Sequence, residues 1–264
     1  MVDIQVKNLS KFFVIGENLL EGLSFEIQEG ERVAILGRNG CGKTTFLCLL
    51  AGDLAPDSGS VVRGDTVRVG FFTQEFPQVK PELRLIDFMR DIAEYVQTPD
   101  GRFSASQMLE QFLFPPDVQL TPVNRLSGGE KRRAALAGII AMKPRYLVLD
   151  EPMAGLDPAG RKAILETLEG IRRDTGCAII MVSHSMEDVA RHSRKIAVMD
   201  NGALAAIGTP EEVFGGSLPL EELGLDLPEV SHLGMLLRER GMDIPPVYTV
   251  EGMRDHLLGR AKNV

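Results

Sequence analysis

Short apolar runs alternate with helical patterns along most of the chain. The runs that predict buried strands are brief, often β-branched and bounded by polar residues or glycine: Val33–Leu36, Val67–Thr73, Tyr146–Leu149, Ala178–Val182 and Ile196–Met199. Between the first two, the pattern of Thr44–Leu50 predicts a helix that ends at Gly52. This alternation predicts an α/β fold built on a parallel sheet with both faces covered.

Residues 75–125 interrupt the alternation with a Pro-containing insertion. One helical face of the insertion carries an apolar stripe at Leu85, Ile86, Met89, Ile92, Ala93 and Val96. Ser104 and Gln107 have the spacing of a capping box, which predicts that another helix begins there. The insertion is therefore predicted to be a helical subdomain.

The last part of the chain contains two further signals. Asp200-Asn201-Gly202 between apolar runs predicts a β-hairpin. Thr209-Pro210-Glu211-Glu212 predicts a helix start, because it combines a capping residue, a first-turn proline and acids near the positive end of the helix. Residues 209–264 are predicted to form a small α-rich appendage that Pro245-Pro246 interrupts.

Charge and hydropathy narrow the possible functions. The chain has 264 residues, a hydrophobic fraction of 44% and a formal net charge of -8, with no Lys/Arg block. Nucleic-acid binding draws its affinity from phosphate neutralisation by basic residues, so no direct DNA binding is expected. No stretch approaches the ~20 apolar residues that cross a membrane, so any membrane role needs spans from another chain.

Targeting and cysteine patterns favour the cytoplasm. The N-terminus has no basic region followed by an apolar run, so no signal peptide is expected. Cys41, Cys48 and Cys177 have neither CxxC pairing nor metal-site spacing, which fits reduced thiols that act as small apolar residues.

A glycine-rich segment between a predicted strand and a predicted helix points to phosphate binding. Gly37 to Thr44 match the pattern GxxxxGK followed by Ser or Thr, in the context that this motif requires. Backbone N–H groups and the helix N-terminus would bind phosphate oxygens, Lys43 would reach the β- and γ-phosphates, and Thr44 would ligate Mg²⁺. The alternative is a strand–helix turn that binds nothing.

Two acids follow the apolar strand at Tyr146–Leu149. Asp150 and Glu151 would lie at the carboxyl edge of the sheet, where α/β proteins bind ligands. Asp150 would hold Mg²⁺, directly or through water, and Glu151 would polarise the attacking water as general base. The alternative is a solvated strand end.

Leu126-Ser127-Gly128-Gly129-Glu130 precedes a helical run through Met142. Ser127 and Glu130 make a capping-box pattern, and the paired glycines leave the backbone accessible to an anion. By itself this pattern indicates only a capped helix after a loop.

Together, these motifs resemble the ATP-binding-cassette (ABC) superfamily, in which LSGGE lies between a phosphate loop and a Leu-Val-Leu-Asp-Glu strand. Four other positions match family landmarks in the family's order. Phe13 resembles the A-loop aromatic that stacks on adenine, and Gln74 resembles the Q-loop glutamine. Asp157, in Gly155-Leu156-Asp157-Pro158, resembles the D-loop aspartate, and His184 resembles the switch histidine. The alternatives are a core aromatic beside Phe12 for Phe13, a surface strand end for Gln74 and a structural histidine for His184.

The resemblance, which covers about residues 1–208, implies ATP and Mg²⁺ as ligands and a head-to-tail dimer with a second cassette, as homo- or heterodimer. The implied nucleotide-binding residues are Phe13, Gly37, Asn39, Gly40, Cys41, Gly42, Lys43, Thr44 and Thr45. The implied catalytic residues are Glu151, His184, Gln74 and Lys43, and the implied metal contacts are Thr44, Gln74 and Asp150. The partner subunit would supply the signature, which consists of Ser127, Gly128, Gly129 and Glu130, and would offer Ser127 and Gly129 to the γ-phosphate.

The resemblance also predicts the domain organisation. It implies a P-loop NTPase core of ABC type with an N-terminal β subdomain, within an ATPase domain at 1–208. The helical subdomain would occupy about 75–142, and the α-rich appendage at 209–264 resembles a dimerisation segment.

Two subfamily resemblances divide the chain. Residues 17–133 look most like the translation-associated ABC-F subfamily, whereas residues 134–264 look most like the ATPase subunit of energy-coupling-factor transporters. The second half and the single cassette favour a subunit at the inner face of the cell membrane that energises membrane-embedded transporter subunits. The alternatives are a ribosome-associated ABC-F-like regulator and a mosaic ATP-binding domain without a native partner.

Overall fold

A computed structural model describes residues 2–14, 17–64, 67–73, 76–98, 101–215 and 218–261. The chain forms two compact units. The first unit comprises residues 1–4, 27–30 and 63–180, and the second unit comprises residues 5–26, 31–62 and 181–264.

Strands and helices alternate as the sequence predicts. Within the described residues the strands are β1 (Val2–Val14), β2 (Glu17–Gln28), β3 (Arg32–Gly37), β4 (Ser58–Arg63), β5 (Val69–Phe72), β6 (Tyr95–Thr98), β7 (Gly101–Ser104), β8 (Tyr146–Asp150), β9 (Ala178–Val182), β10 (Lys195–Asp200) and β11 (Ala203–Gly208). The helices are α1 (Lys43–Ala51), α2 (Leu85–Ile92), α3 (Ala105–Gln111), α4 (Gly128–Ala141), α5 (Pro158–Thr175), α6 (Met186–His192), α7 (Pro210–Phe214), α8 (Glu229–Glu239) and α9 (Val250–Ala261). The mixed α/β prediction is confirmed.

The second unit contains two groups of hydrogen-bonded strands. One is a three-stranded sheet in the order β2-β1-β4, and the other runs β11-β10-β3. β10 is parallel to β3 and antiparallel to β11. The hairpin predicted at Asp200-Asn201-Gly202 is confirmed: Asn201 and Gly202 have φ values of 44° and 79°, the left-handed pair that a tight hairpin turn needs.

The first unit contains the strand group β9-β8-β5, in which β5 is parallel to β8. Every residue of β8 and β9 is buried, as expected for parallel strands covered on both faces. β5 is shorter than the predicted run because it begins at Val69, while the Val67 N–H donates to Gly64 O in a turn before it.

The insertion at residues 75–125 departs from the sequence prediction at one point. The stripe Leu85–Val96 predicted one continuous helix, but α2 ends at Ile92 and Val96 lies in β6. Ala93 has extended backbone angles (φ -157°, ψ 116°), and β6 then pairs with β7 in an antiparallel hairpin. The buried Val96 therefore contributes to the core from a strand, in which β-branched side chains pack well.

Local capping signals are confirmed. α1 ends at Gly52, whose φ of 92° lets its N–H donate to Cys48 O. Capping boxes start α3, with Ser104 and Gln107, and α7, with Thr209 and Glu212. The sequence predicts these helix starts correctly because their hydrogen bonds join residues only three apart.

The chain after β11 packs in two ways. Val213, Phe214, Leu220 and Leu225 join the buried cluster that surrounds β3 and β10. Ile244, Val247 and Met253 form a separate small core against Val230 and Leu237 of α8. None of the helices in the described ranges combines the length and hydrophobicity that a bilayer crossing requires.

Candidate functional site

The predicted phosphate loop joins β3 to α1 in the second unit. Lys43 is the first residue of α1, and Gly42 is its N-cap. Within the loop the buried Cys41 donates its backbone N–H to Arg38 O over 3.3 Å. The loop is therefore fixed by its own backbone and by a buried side chain, while Arg38, Asn39 and Gly40 are exposed.

Glycine is required at the end of this loop. Gly42 has φ +93°, and a Cβ there would lie 2.5 Å from Leu20 Cδ2 and 3.1 Å from Leu19 O. Gly40 has φ +81° but faces open space. An L-residue would be strained at either position, and at Gly42 it would also displace β2 or the loop.

The N-terminus of α1 is suited to an anion. Its N-cap has no side chain to accept a hydrogen bond, and its first turn contains no acidic residue. The first N–H groups of a helix have no intrahelical acceptor and carry the positive end of the helix dipole. This helix end therefore lacks the N-cap hydroxyl or carboxylate that accepts backbone N–H bonds at the start of α3, α4, α5 and α7.

Lys43 adds a buried cation. It is only 7% exposed, and its Nζ donates to Gly37 O over 2.6 Å and to Arg38 O over 2.8 Å. The two carbonyls hold the ammonium against the loop. Thr44 is exposed and Thr45 half-buried on the first turn behind it.

Cys41 is held as a neutral thiol in this loop. Burial raises the pKa of the Cys41 thiol, an effect that the positive charge of Lys43 partly opposes. Asp200 also favours the neutral form. Cys41 therefore packs as an apolar side chain beneath the loop rather than as a reactive thiolate.

In the first unit, β8 ends at the predicted acids. Asp150 is 3% exposed, whereas Glu151 is half-buried and has a φ of 48°, a left-handed conformation that a glutamate adopts at a cost of about 1 kcal/mol or more. The Ala154 N–H donates to Glu151 O, which closes a turn at the strand end. The turn fixes the direction in which the Glu151 side chain leaves the strand.

Arg132 supports the same turn and was not predicted from the sequence. Its guanidinium donates to Ala154 O over 2.7 Å and to Glu151 O over 3.5 Å. Arg132 belongs to α4, so the signature helix and the Asp150–Glu151 strand end are connected directly. A basic residue shortly after the signature was the only signal in the sequence.

The signature residues form an exposed helix tip. Ser127 is the N-cap of α4, and Ser127 and Gly128 are both exposed, so an approaching molecule can reach them. The predicted capping box is present: Ser127 N–H donates to Glu130 Oε2 over 2.8 Å, and Glu130 N–H donates to Ser127 Oγ over 3.3 Å. The hydrogen bonds from Ser127 hold the pKa of the Glu130 carboxyl below its usual value.

The signature and the predicted D-loop lie together. They line a surface depression of about 610 Å³ in which Ser127–Glu130 face Ala154–Asp157. Asp157 caps α5 by accepting the Gly160 N–H over 3.1 Å. A Cβ on Gly129 would come within 3.3 Å of Leu156 Cδ2, so a glycine keeps these two segments close.

The remaining predicted residues have different outcomes. Phe13 is 64% exposed, with Lys11 Nζ 5.7 Å from its ring centroid, so the alternative of a core aromatic is wrong. His184 is exposed immediately beyond β9. Gln74 lies outside the described residues.

Asp57 is a second residue that the sequence did not single out. It accepts the Phe12 N–H over 2.9 Å and forms an ion pair with Lys11 at 3.2 Å, so it fixes the strand end that carries Phe13. These bonds, led by the Phe12 N–H, lower the pKa of the Asp57 carboxyl.

Comparison with known proteins adds a family match. Residues 20–154 match the family model described as "ABC transporter". Two curated relatives are energy-coupling factor transporter ATP-binding proteins. The one from Caldanaerobacter subterraneus is 33% identical over 97% of this chain and 96% of its own, and the one from Enterococcus faecalis is 35% identical over 90% of each chain.

A solved structure supports the same similarity. The chain resembles cbiO1 from Clostridium perfringens, described as part of the ABC transporter complex cbiONQ, with a TM-score of 0.65 and 26% identity. The match covers 88% of this chain and 98% of that one. The curated relatives align across both halves of the chain, so they give no support to a separate ABC-F origin of residues 17–133.

Proposed function

The chain belongs to the ABC transporter family as an ATP-binding, ATP-hydrolysing subunit, and from this premise we propose that it energises a membrane transporter of energy-coupling-factor type. The observation that carries nucleotide binding is the phosphate loop. Lys43 is buried against carbonyl oxygens at a glycine-capped helix N-terminus without acidic residues. The transporter class is supported by relatives that align with nearly the whole chain.

The loop binds phosphate through charge and backbone donors. The N–H groups of the first turn of α1 bind the phosphate oxygens, and Lys43 exchanges its loop carbonyls for the β- and γ-phosphates. The face of Phe13, which is open to solvent, stacks on the base. Asn39, Gly40 and the residues up to Thr45 line the phosphates.

Oxygen ligands are available for Mg²⁺. The hydroxyl of Thr44 and the carboxylate of Asp150 are the hard donors that this ion prefers, and the amide of Gln74 is a third. When bound, Mg²⁺ would neutralise charge that develops on the phosphates. Asp150 is suited to this role because its buried carboxylate is fixed at the end of a buried strand.

Glu151 acts as general base. Its carboxylate stands at a left-handed backbone position in a turn that Arg132 supports, and its role is to polarise the attacking water. His184, which is exposed beyond β9, contacts the γ-phosphate and helps to position it for hydrolysis.

A second copy or a related cassette completes the site. The exposed tip at Ser127 donates to the γ-phosphate held by the partner, and Asp157 contributes from the adjoining D-loop. Two subunits then bind nucleotide between them and separate after hydrolysis. Residues 209–264 serve as a further dimerisation segment.

The dimer works at the cytoplasmic face of a membrane, where other chains provide the transmembrane segments. The names of these two relatives support a transporter and give no support to the alternative of ribosome association.

The hydrolytic role is tested with Glu151→Gln, which keeps the shape of the side chain and removes its basicity. We expect this variant to bind ATP, to accumulate as an ATP-bound dimer and to lose turnover. A fluorescent ATP analogue, sedimentation and a phosphate-release assay measure these three properties. Hydrolysis at the wild-type rate would exclude Glu151 as the base.

The transporter role is tested by fractionating cells that express the chain. We expect it to sediment with membranes and to co-purify, in detergent, with integral membrane proteins. Salt-sensitive sedimentation with ribosomes would contradict the transporter assignment, because RNA association is largely electrostatic.

A further inference from the structure

Three of the described helices begin with a capping box of the same backbone geometry. In each box the N-cap hydroxyl accepts the N3 backbone N–H, and the N3 side chain accepts the N-cap N–H. The pairs are Ser104 with Gln107 at α3, Ser127 with Glu130 at α4, and Thr209 with Glu212 at α7.

The two boxes with glutamate have a third bond. Ser127 Oγ lies 2.7 Å from Glu130 Oε2, and Thr209 Oγ1 lies 3.2 Å from Glu212 Oε2. An ionised carboxylate can only accept, so the hydroxyl proton is directed at it. The Gln107 box forms from the two backbone bonds, at 2.9 and 3.3 Å.

At α4 the third bond involves a signature residue, Ser127, which has only one hydroxyl proton. Its Oγ accepts from the Glu130 N–H and donates to the Glu130 carboxylate. The backbone N–H of Ser127 donates to the same carboxylate oxygen. Glu130 therefore engages both donors of Ser127 while the tip is exposed to solvent.

The charge of Glu130 persists at neutral pH, since its hydrogen bonds to Ser127 lower the pKa of its carboxyl. In the same depression Asp157 adds a carboxylate, and Arg132 and Arg133 add cations. A γ-phosphate arriving at Ser127 meets a fixed negative charge within hydrogen-bonding distance of the donor that it needs.

We propose that Glu130 is a positioning residue that competes with the γ-phosphate for the hydroxyl of Ser127, and so raises the ATP concentration at which two subunits associate. The inference rests on the proposed function, in which Ser127 contacts nucleotide held by a second subunit. Association then requires the Ser127 hydroxyl to turn, so that the proton bonded to its Oγ points at a phosphate oxygen instead of the Glu130 carboxylate.

The test is Glu130→Gln in a Glu151→Gln parent, whose dimers are not consumed by hydrolysis. The Ser104–Gln107 box at α3 shows that glutamine at N3 supports a helix start of this geometry. We expect the ATP concentration for half-maximal dimerisation, measured by sedimentation, to fall about tenfold, the worth of one charge-assisted hydrogen bond. Circular dichroism should show unchanged helix content.

Two further variants in the same parent isolate the cause. Glu212→Gln makes the same change in a box of the same geometry outside the signature, and should leave the midpoint unchanged. With Ser127→Ala the hydroxyl is absent, so the added effect of Glu130→Gln should shrink to about twofold or less.

Each result has one meaning. If the parent dimerises but Glu130→Gln leaves the ATP concentration for half-maximal dimerisation unchanged or raises it, the proposed competition for Ser127 is wrong and the proposed function stands. A full tenfold gain that persists in Ser127→Ala also contradicts it, because the hydroxyl would then be irrelevant. Failure of the parent to dimerise at any ATP concentration contradicts the proposed function, and this inference with it.

Discussion

Replacing Lys43 by methionine tests the phosphate loop most sharply. Lys43 is 7% exposed; methionine keeps its unbranched apolar stem and removes the ammonium that donates to Gly37 O and Arg38 O. The two carbonyls lose donors, which costs stability, but a buried charge is removed as well, which offsets part of that cost. We therefore expect the free energy of unfolding to change by no more than about 1 kcal/mol.

The effect on nucleotide binding should be larger. A hydrogen bond from a charged donor contributes about 1.5–3 kcal/mol, so loss of the Lys43 contact with phosphate should weaken ATP binding about 10- to 150-fold. Adenosine has no phosphate, and its affinity should be unaffected. Titration of a fluorescent ATP analogue, with adenosine as competitor, measures both affinities.

The control is Lys162→Met, which removes the same charge from a side chain on α5 that is 77% exposed. It should leave ATP affinity within about twofold, since exposed charges contribute little. If Lys43→Met binds ATP within threefold of the wild type, or loses adenosine affinity equally, Lys43 does not bind phosphate and the reasoning fails.

Three other predictions concern separate features. Leu113 follows Phe112, the C-cap of α3, with φ 63° and is 46% exposed, so Leu113→Gly should be about 1 kcal/mol more stable than Leu113→Ala in urea unfolding. Burial raises the pKa of the Cys177 thiol from 9.0 to about 12, so as pH rises the unfolded chain loses this proton before the folded chain does. The free energy of unfolding should therefore fall between pH 9 and pH 12. Cys177→Ala should reduce this pH dependence. Phe13→Ala should weaken ATP binding by about 1–3 kcal/mol, whereas Phe12→Ala should have little effect; equal losses would exclude stacking on Phe13.

Local signals explain most of what the sequence could predict. The Ser127–Glu130 box, the Asn201-Gly202 turn and the stop at Gly52 each depend on hydrogen bonds or φ values within a few residues, so spacing alone identifies them. The fully buried strands were predictable for a related reason, because a short, continuous apolar run bounded by polar residues or glycine is typical of a strand buried on both faces.

The missed features depend on contacts that spacing does not encode. Val96 fits a helical stripe, but its N–H and C=O pair across a hairpin with β7, which the pattern of α2 could not show. Arg132 reaches a turn 22 residues away, at Ala154. The positive φ of Glu151 is imposed by the strand end and its turn, because glutamate itself disfavours that conformation.

The central claim is that the phosphate loop of one subunit and the signature tip of another act on the same nucleotide. Mixing Lys43→Ala protein with Ser127→Glu protein tests it, because each variant alone has two defective sites, whereas a mixed dimer has one site with an intact loop and an intact tip. We predict that the mixture hydrolyses ATP at up to about a quarter of the wild-type rate, since half the dimers are mixed and each has one working site. A mixture no more active than either variant alone, although mixed dimers form, would contradict the claim.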